Sequence, residues 1–276
     1  MKNSNQLKYL TVVFLLILSS GLDQIKAQSP TSTYAQSDYM KVDPLKIDEY
    51  VEIEKTLWKP LHAQRIQDGN IVGWYLFSVW STGTSSEYNF VTITIYEGFA
   101  KMENPISENL IKRVHPKMEP AELLKQTETT RNLVKSDYWH YVYGLDLHGG
   151  NLPPPKYMEI DFMSTELNNS WDYEQMEHDI WAPIHQDRMD RNLIQAWDLW
   201  ALLLNWGTGK SYNHATVISY DQFAKIEHSW EGVDLEHIHS GKNWDEILND
   251  TDELRNLVKH ELWELIDYVR VEPEAK

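Results

Sequence analysis

The chain has 276 residues, with 25 lysines and arginines against 42 aspartates and glutamates, a formal charge of −17, and no cysteine. So acidic a surface repels nucleic acid and anionic lipid at long range. With no cysteine, neither a disulfide nor a lipidated N-terminal cysteine can form, and stability must come from a packed core.

The N-terminus carries Lys2 and Lys8, an apolar run from Tyr9 to Leu18, and a small, polar stretch ending at Ala27 before Gln28. That is the order of a secretory signal peptide, and its roughly ten apolar residues fall short of the about 20 a membrane span needs. The expectation is a periplasmic or secreted bacterial protein, cleaved near Ala27, with no membrane anchor afterwards. Loss of residues 1–27 removes Lys2, Lys8, Lys26 and Asp23 and takes the formal charge from −17 to −19.

Beyond the signal, the chain contains itself twice. Trp58, Pro60, His62 and Arg65 return as Trp181, Pro183, His185 and Arg188, and Ile71 and Trp74 return as Ile194 and Trp197. After one inserted residue, Tyr88, Asn89, Thr92, Tyr96, Phe99, Ala100, Lys101 and Glu103 match Tyr212, Asn213, Thr216, Tyr220, Phe223, Ala224, Lys225 and Glu227. The run Arg131-Asn132-Leu133-Val134-Lys135 recurs unchanged at residues 255–259, and Trp139 recurs as Trp263. Two long copies make a duplicated domain rather than a solenoid. The repeats are placed at residues 28–149 and 157–272, joined by a proline-rich linker at 150–156.

Each copy reads as a short alternating strand (39–42; 157–162), then an amphipathic helix (48–68; 173–191), then two aromatic and β-branched strands (71–80 and 88–96; 194–204 and 212–220). Helical segments follow at 120–135 and 245–259. The last runs, 138–143 and 262–269, fit either a strand or a helix extension by period alone. As strands they complete βαββαβ, the split-βαβ plan.

This order, the tandem duplication and the Trp-x-Pro-x-His-x-x-Arg helix resemble the dimeric α+β barrel superfamily, which includes NIPSNAP-like proteins and antibiotic-biosynthesis-type monooxygenases. The resemblance implies an α+β chain of two tandem ferredoxin-like repeats packed as an intramolecular barrel. It supplies no catalytic signature, so function rests on the residues themselves.

Polar residues kept in both copies nominate sites. On the first helix of each copy Glu54, Trp58, His62 and Arg65, and Glu177, Trp181, His185 and Arg188, fall within about 80° of one another. An apolar stripe (Leu57 and Leu61; Ile180 and Ile184) runs beside them and should face the sheet. Pro60 and Pro183 each remove a helix hydrogen bond and should kink the helix just before the histidine. His62 and His185 suit acid–base work or ligation of haem or metal, and Arg65 and Arg188 suit a ligand carboxylate. The alternative is a packed histidine bonded to Glu54 or Glu177 and an arginine paired within its own helix. Tyr88, Asn89, Tyr212 and Asn213 open a strand after a turn, where they could orient a ligand or serve the turn itself. The tryptophans, including Trp74, Trp80, Trp197, Trp200 and Trp206, suit packing between the repeats or stacking on a flat ligand. His237 and His239, two apart in an expected extended segment, form a weak metal candidate without a counterpart in the first copy.

The leading reading is an exported barrel that binds a small apolar or aromatic molecule between the sheet and the first helix. An oxygenase, isomerase or haem-linked enzyme using that cavity is the alternative, and an envelope protein-interaction module the third. The sequence names no cofactor. It leaves enzymatic activity and homo-oligomer formation open. Nucleotide-loop, zinc-helix and serine-elbow motifs are absent.

Overall fold

A computed structural model describes residues 32–146, 153–204 and 210–272. The signal segment, residues 150–152 of the linker, and Trp206 lie outside these described residues. No helix among the described residues is long and apolar enough to cross a membrane.

The first half runs β1 (Thr33–Val42), a long helix α1, β2 (Gly73–Val79), β3 (Phe90–Glu97), α2 (Pro120–Thr130) and β4 (Arg131–Asp146). The second runs β5 (Tyr157–Ser164), a long helix α3, β6 (Ala196–Leu204), β7 (His214–Tyr220), α4 (Trp244–Leu254) and β8 (Asn256–Arg270). Short helices, among them Glu108–Val114 and Leu235–Ile238, lie in the connections after β3 and β7.

The eight strands close into one antiparallel barrel in the order β1-β3-β2-β8-β5-β7-β6-β4. Each half supplies four adjacent strands, and the closing seams join β2 to β8 and β4 to β6. The last strand of each half is 15 or 16 residues long, long enough to pair with its own first strand and then continue along the other half. Because every pairing is antiparallel, β1, β2, β5 and β6 all point to one pole of the barrel. Both halves therefore present equivalent residues at the same end.

Strand alternation divides the side chains between two faces. Inward residues such as Ala35, Phe77, Trp139, Ile160, Phe162 and Trp263 form the barrel interior. Outward residues such as Trp74, Leu76, Trp197 and Leu199 pack beneath the helices.

The duplicated run at 131–135 and 255–259 belongs to strands rather than to the helices expected there. α2 ends at Thr130, whose hydroxyl donates to the Thr127 carbonyl, and Arg131 is already extended at φ −149°. Pairing with β1 and β5 offers that segment a full ladder, and this outweighs a period that fits both states.

α1 consists of Ile47–Ile53, one π turn at Glu54–Trp58, and Lys59–Gln67. α3 repeats the pattern with Ser170–Met176, Glu177–Trp181 and Ala182–Asp190. The prolines shape the helix as a widened turn. The Lys59 N–H reaches back five residues to the Glu54 carbonyl, and that of Ala182 to Glu177, shifting the ladder by one residue where Pro60 and Pro183 cannot donate.

Candidate functional site

The polar stripe of the first helices is buried against the outer face of the barrel. The His62 ring lies parallel to Trp74 at 5.1 Å, and the tilted Trp58 ring is 6.5 Å away. His185 lies likewise beside Trp197 at 4.9 Å and Trp181 at 6.1 Å. Nδ1 of each histidine meets its arginine, at 3.4 Å for Arg65 and 2.8 Å for Arg188. Burial, reinforced by the neighbouring guanidinium, pushes both imidazoles well below their usual range, so each is neutral and accepts from arginine.

Both arginines are largely engaged with the protein, leaving only Arg65 Nε and Arg188 Nη2 without a hydrogen bond among the described residues. Arg65 donates to the Asn104 carbonyl at 3.2 Å and to the Tyr96 hydroxyl at 3.4 Å. Arg188, with no exposed surface, donates to the Ser229 carbonyl at 2.8 Å and lies 3.9 Å from the centre of the Trp230 ring. Trp58 and Trp181 donate their indole N–H groups to Thr127 and Thr251 on α2 and α4.

Glu54 and Glu177 are buried in the same layer. Burial raises each carboxyl from 4.5 to about 7, opposed by Arg131 and the Tyr50 hydroxyl for Glu54, and by the Tyr173 hydroxyl and Arg255 for Glu177.

Asn89 and Asn213 clasp the ends of β1 and β5. The Asn89 amide accepts from the Val42 N–H at 2.8 Å and donates to its carbonyl at 3.0 Å, and Asn213 holds Thr165 through the same pair of bonds. Replacing either asparagine by alanine leaves a partly buried N–H and C=O without that partner. The expected cost is about 1–3 kcal/mol, read as a lower denaturation midpoint, and an unchanged midpoint would show that the clasp contributes nothing.

His237 and His239 do not converge on a metal. They fall at the end of a short helix, Leu235–Ile238, where residues two apart point to different sides. The first copy does hold a counterpart to His239. His239 Nε2 meets the Ile180 carbonyl at 2.9 Å, and His115 meets the Leu57 carbonyl at 2.9 Å, each beside a π turn. Among the described residues no group of three or more histidines and carboxylates could hold a metal ion.

Besides a 430 Å³ hollow lined by Trp80, Tyr88 and Lys259 among others, a second cavity lies on the opposite face of the sheet from the histidines. Inward residues of all eight strands enclose 320 Å³ in the barrel lumen, among them Phe77, Ile93, Trp139, Ile160, Val217 and Trp263. Ser37, Asp198, Ser219 and Arg270 are the polar exceptions, together with Gln195 and the backbone of Pro153, Pro154 and Pro155 at one end. None of the first-helix or strand-opening residues nominated from the sequence lines this space, whereas Trp200, weighed there for packing or for stacking on a ligand, does. His62 and His185 are separated from it by the sheet and cannot ligate a haem or metal held there. The layer between sheet and helix is filled by the stacked histidine and tryptophan rings.

Tyr88 and Tyr212 come nearest to the lumen. They close the pole to which β1 and β5 point, in two related clusters, each built across the two halves. The Tyr88 hydroxyl donates to Glu261 at 3.0 Å and accepts from Lys259 at 2.7 Å, while the Trp263 indole donates to the same Glu261 oxygen at 2.9 Å. The Tyr212 hydroxyl donates to Asp137 and accepts from Lys135 at 2.8 Å, and Lys210 meets Asp137 at 2.5 Å. Tyr39, Phe162, Trp139 and Trp263 form the inner wall beneath this plug. The strand alternation at Ala35, Ser37 and Tyr39, and at Met158, Ile160 and Phe162, carried the signal for these lumen residues. Which face looked inward was not legible until the barrel closed.

No family model and no curated protein matches the chain. Solved structures do. A provisionally assigned monooxygenase from Lactobacillus acidophilus NCFM aligns with a TM-score of 0.54 at 10% identity, over 88% of this chain and 97% of its own. An anthrone oxidase-like protein aligns at 0.52 and 9% identity, over 90% and 96%. A provisionally assigned monooxygenase from Fusobacterium nucleatum aligns at 0.51 and 9% identity, over 88% and 96%. At such identities the likeness carries the fold alone, and this chain shares with these proteins a mixed α+β fold closed as an antiparallel barrel.

Proposed function

We propose that the chain binds a small apolar or aromatic molecule inside the barrel lumen. The supporting observation is the 320 Å³ space lined by inward apolar and aromatic residues of every strand with a few polar groups among them, at the lower end of the about 300–1,000 Å³ typical of small-molecule pockets. The seat moves from the outer helix layer to the lumen because the outer layer is packed with stacked rings, while the inward faces of both halves leave space between them.

We further read the two halves as tandem ferredoxin-like repeats that replace a dimer of single repeats. Closure of the barrel supports this reading by leaving no free strand edge for a partner. The basic, apolar and small-polar order of residues 1–27 supports export.

Trp139, Trp200 and Trp263 border the lumen, so tetralin, a compact two-ring hydrocarbon, is expected to change tryptophan fluorescence saturably. Ala215→Trp places an indole in the same space and is expected to abolish that response while the circular dichroism of the fold is retained. An unchanged titration in a folded Ala215→Trp protein would remove the lumen as the seat.

A further inference from the structure

We propose that the 430 Å³ hollow beside Tyr88 is the seat of an organic amine, whose ammonium group meets Glu261 and Glu87 in the place that Lys210 fills in the second half. Val79, Trp80, Ser86, Glu87, Lys259 and Glu261 are among the residues lining it, and it shares no lining residue with the lumen.

The two halves carry equivalent residues at this pole, so each shows what the other has changed. Tyr88 corresponds to Tyr212, Lys259 to Lys135, and Glu261 to Asp137. In the second half the Tyr212 hydroxyl donates to Asp137 and accepts from Lys135 at 2.8 Å, and a further ammonium, that of Lys210, meets the fully buried Asp137 at 2.5 Å. Lys210 stands two residues before Tyr212, where the first half has Ser86 before Tyr88. The residue between them is Ser211 in the second half and Glu87 in the first. The first half has thus lost one positive charge and gained one negative charge, while the tyrosine, the other lysine and the buried acid are kept. Ser86 and Glu87 both line the hollow. The second half fills with its own side chain the seat that the first leaves open.

The groups already present admit a cation. Lys259 donates to Glu261 and to the Tyr88 hydroxyl, each at 2.7 Å, and His260 meets Asp161 at 2.6 Å. A second ammonium beside Glu261 repeats what Asp137 accepts from Lys210 next to Lys135. Glu87 is exposed, and among the described residues no basic side chain forms an ion pair with it. Val79, Trp80 and Leu262 add apolar wall, which suits a hydrocarbon stem carrying the charge, as a lysine does. A bare metal ion is a poorer match, since the hollow far exceeds the roughly 30 Å³ of one water and no group of three or more histidines and carboxylates could hold one among the described residues.

The test titrates n-butylammonium, which reproduces the Lys210 stem and charge, and n-butanol, of similar shape without the charge, into the full chain at fixed ionic strength, followed by saturation-transfer NMR. Saturable binding of n-butylammonium is expected, tighter than n-butanol by roughly 10-fold or more, the value of a charge-assisted hydrogen bond. Ser86→Lys restores the arrangement of the second half and is expected to abolish it. Glu87→Gln, a change on an exposed loop, is expected to weaken n-butylammonium about 2–5-fold and to leave n-butanol unchanged. Ala215→Trp, which fills the lumen, is expected to change neither. Absence of saturable binding, equal affinity for n-butanol, or binding that persists in a folded Ser86→Lys protein as diffuse attraction to an acidic surface overturns the inference. Loss of binding in Ala215→Trp would place the amine in the lumen and overturns it as well.

Discussion

As the pH rises from about 5 to about 8, the wild-type chain is expected to lose stability relative to a Glu54→Gln, Glu177→Gln double variant. Both carboxyls are buried, and burial raises each from 4.5 to about 7. The native state therefore holds two protons that the unfolded chain releases. That contribution is fully present below the unfolded value and is lost as pH rises through about 7. It is worth about 3 kcal/mol per carboxyl at 1.36 kcal/mol per pKa unit.

Other groups titrate nearby. His260, raised by its hydrogen bond to Asp161, acts in the same direction. His62 and His185, pushed down by burial and their arginines, act in the opposite one and lose stability as pH falls. Comparison with the glutamine variant cancels all three. Unfolding free energies from urea titrations are expected to agree near pH 4, below the unfolded carboxyl value, where glutamine mimics the neutral acid, and to separate by several kcal/mol near pH 8 in favour of the variant. A difference that stays constant with pH would contradict the assignment of these carboxyls as neutral in the fold.

Trp74→Ala and Trp197→Ala are each expected to cost about 3–5 kcal/mol, the range for removing a fully buried large aromatic. Both side chains are 1% exposed, and each is the platform on which a neutral histidine stacks. Their loss opens the helix layer and leaves His62 or His185 without the ring beneath it. For a chain of this length the melting temperature is expected to fall by roughly 6–20 °C. Trp200→Ala is the control. This tryptophan is half-buried and already borders the lumen, so fewer contacts are lost and the fall is expected to be smaller. A Trp197 variant that melts with the wild type would mean that the outer layer does not carry the fold's stability.

The repeat was the most legible feature of this sequence, because tryptophan, proline, histidine and arginine returned at fixed spacing. The first helix of each half and most of the first three strands followed from period and turn residues, with ends within a few residues of those found; the first strand, expected at 39–42, begins six residues earlier at Thr33. The runs 138–143 and 262–269 were ambiguous by period, and 132–135 with its copy 256–259 was read as helix; pairing with β1 or β5 makes all of them strand.

The duplicated polar residues were visible, and those of the first helices lie on the outer face of the sheet rather than in the lumen. His62, Arg65 and Asn89 recur because each answers a local demand, a tryptophan platform, a buried guanidinium or a strand end, and such demands are duplicated along with the chain. The lumen is a property of two halves meeting. Tyr39 faces Trp263, and Phe162 faces Trp139, pairings that no single repeat contains. Divergence between the copies, Tyr39 against Phe162 and Tyr75 against Asp198, marks the lumen better than identity does.

A crystal of the chain pressurised with xenon tests the central claim most directly, since dry apolar cavities take up that atom. The account predicts xenon on the barrel axis, among Phe77, Met158 and Ile160. Xenon seated instead between the sheet and α1 or α3, with none in the lumen, would contradict it.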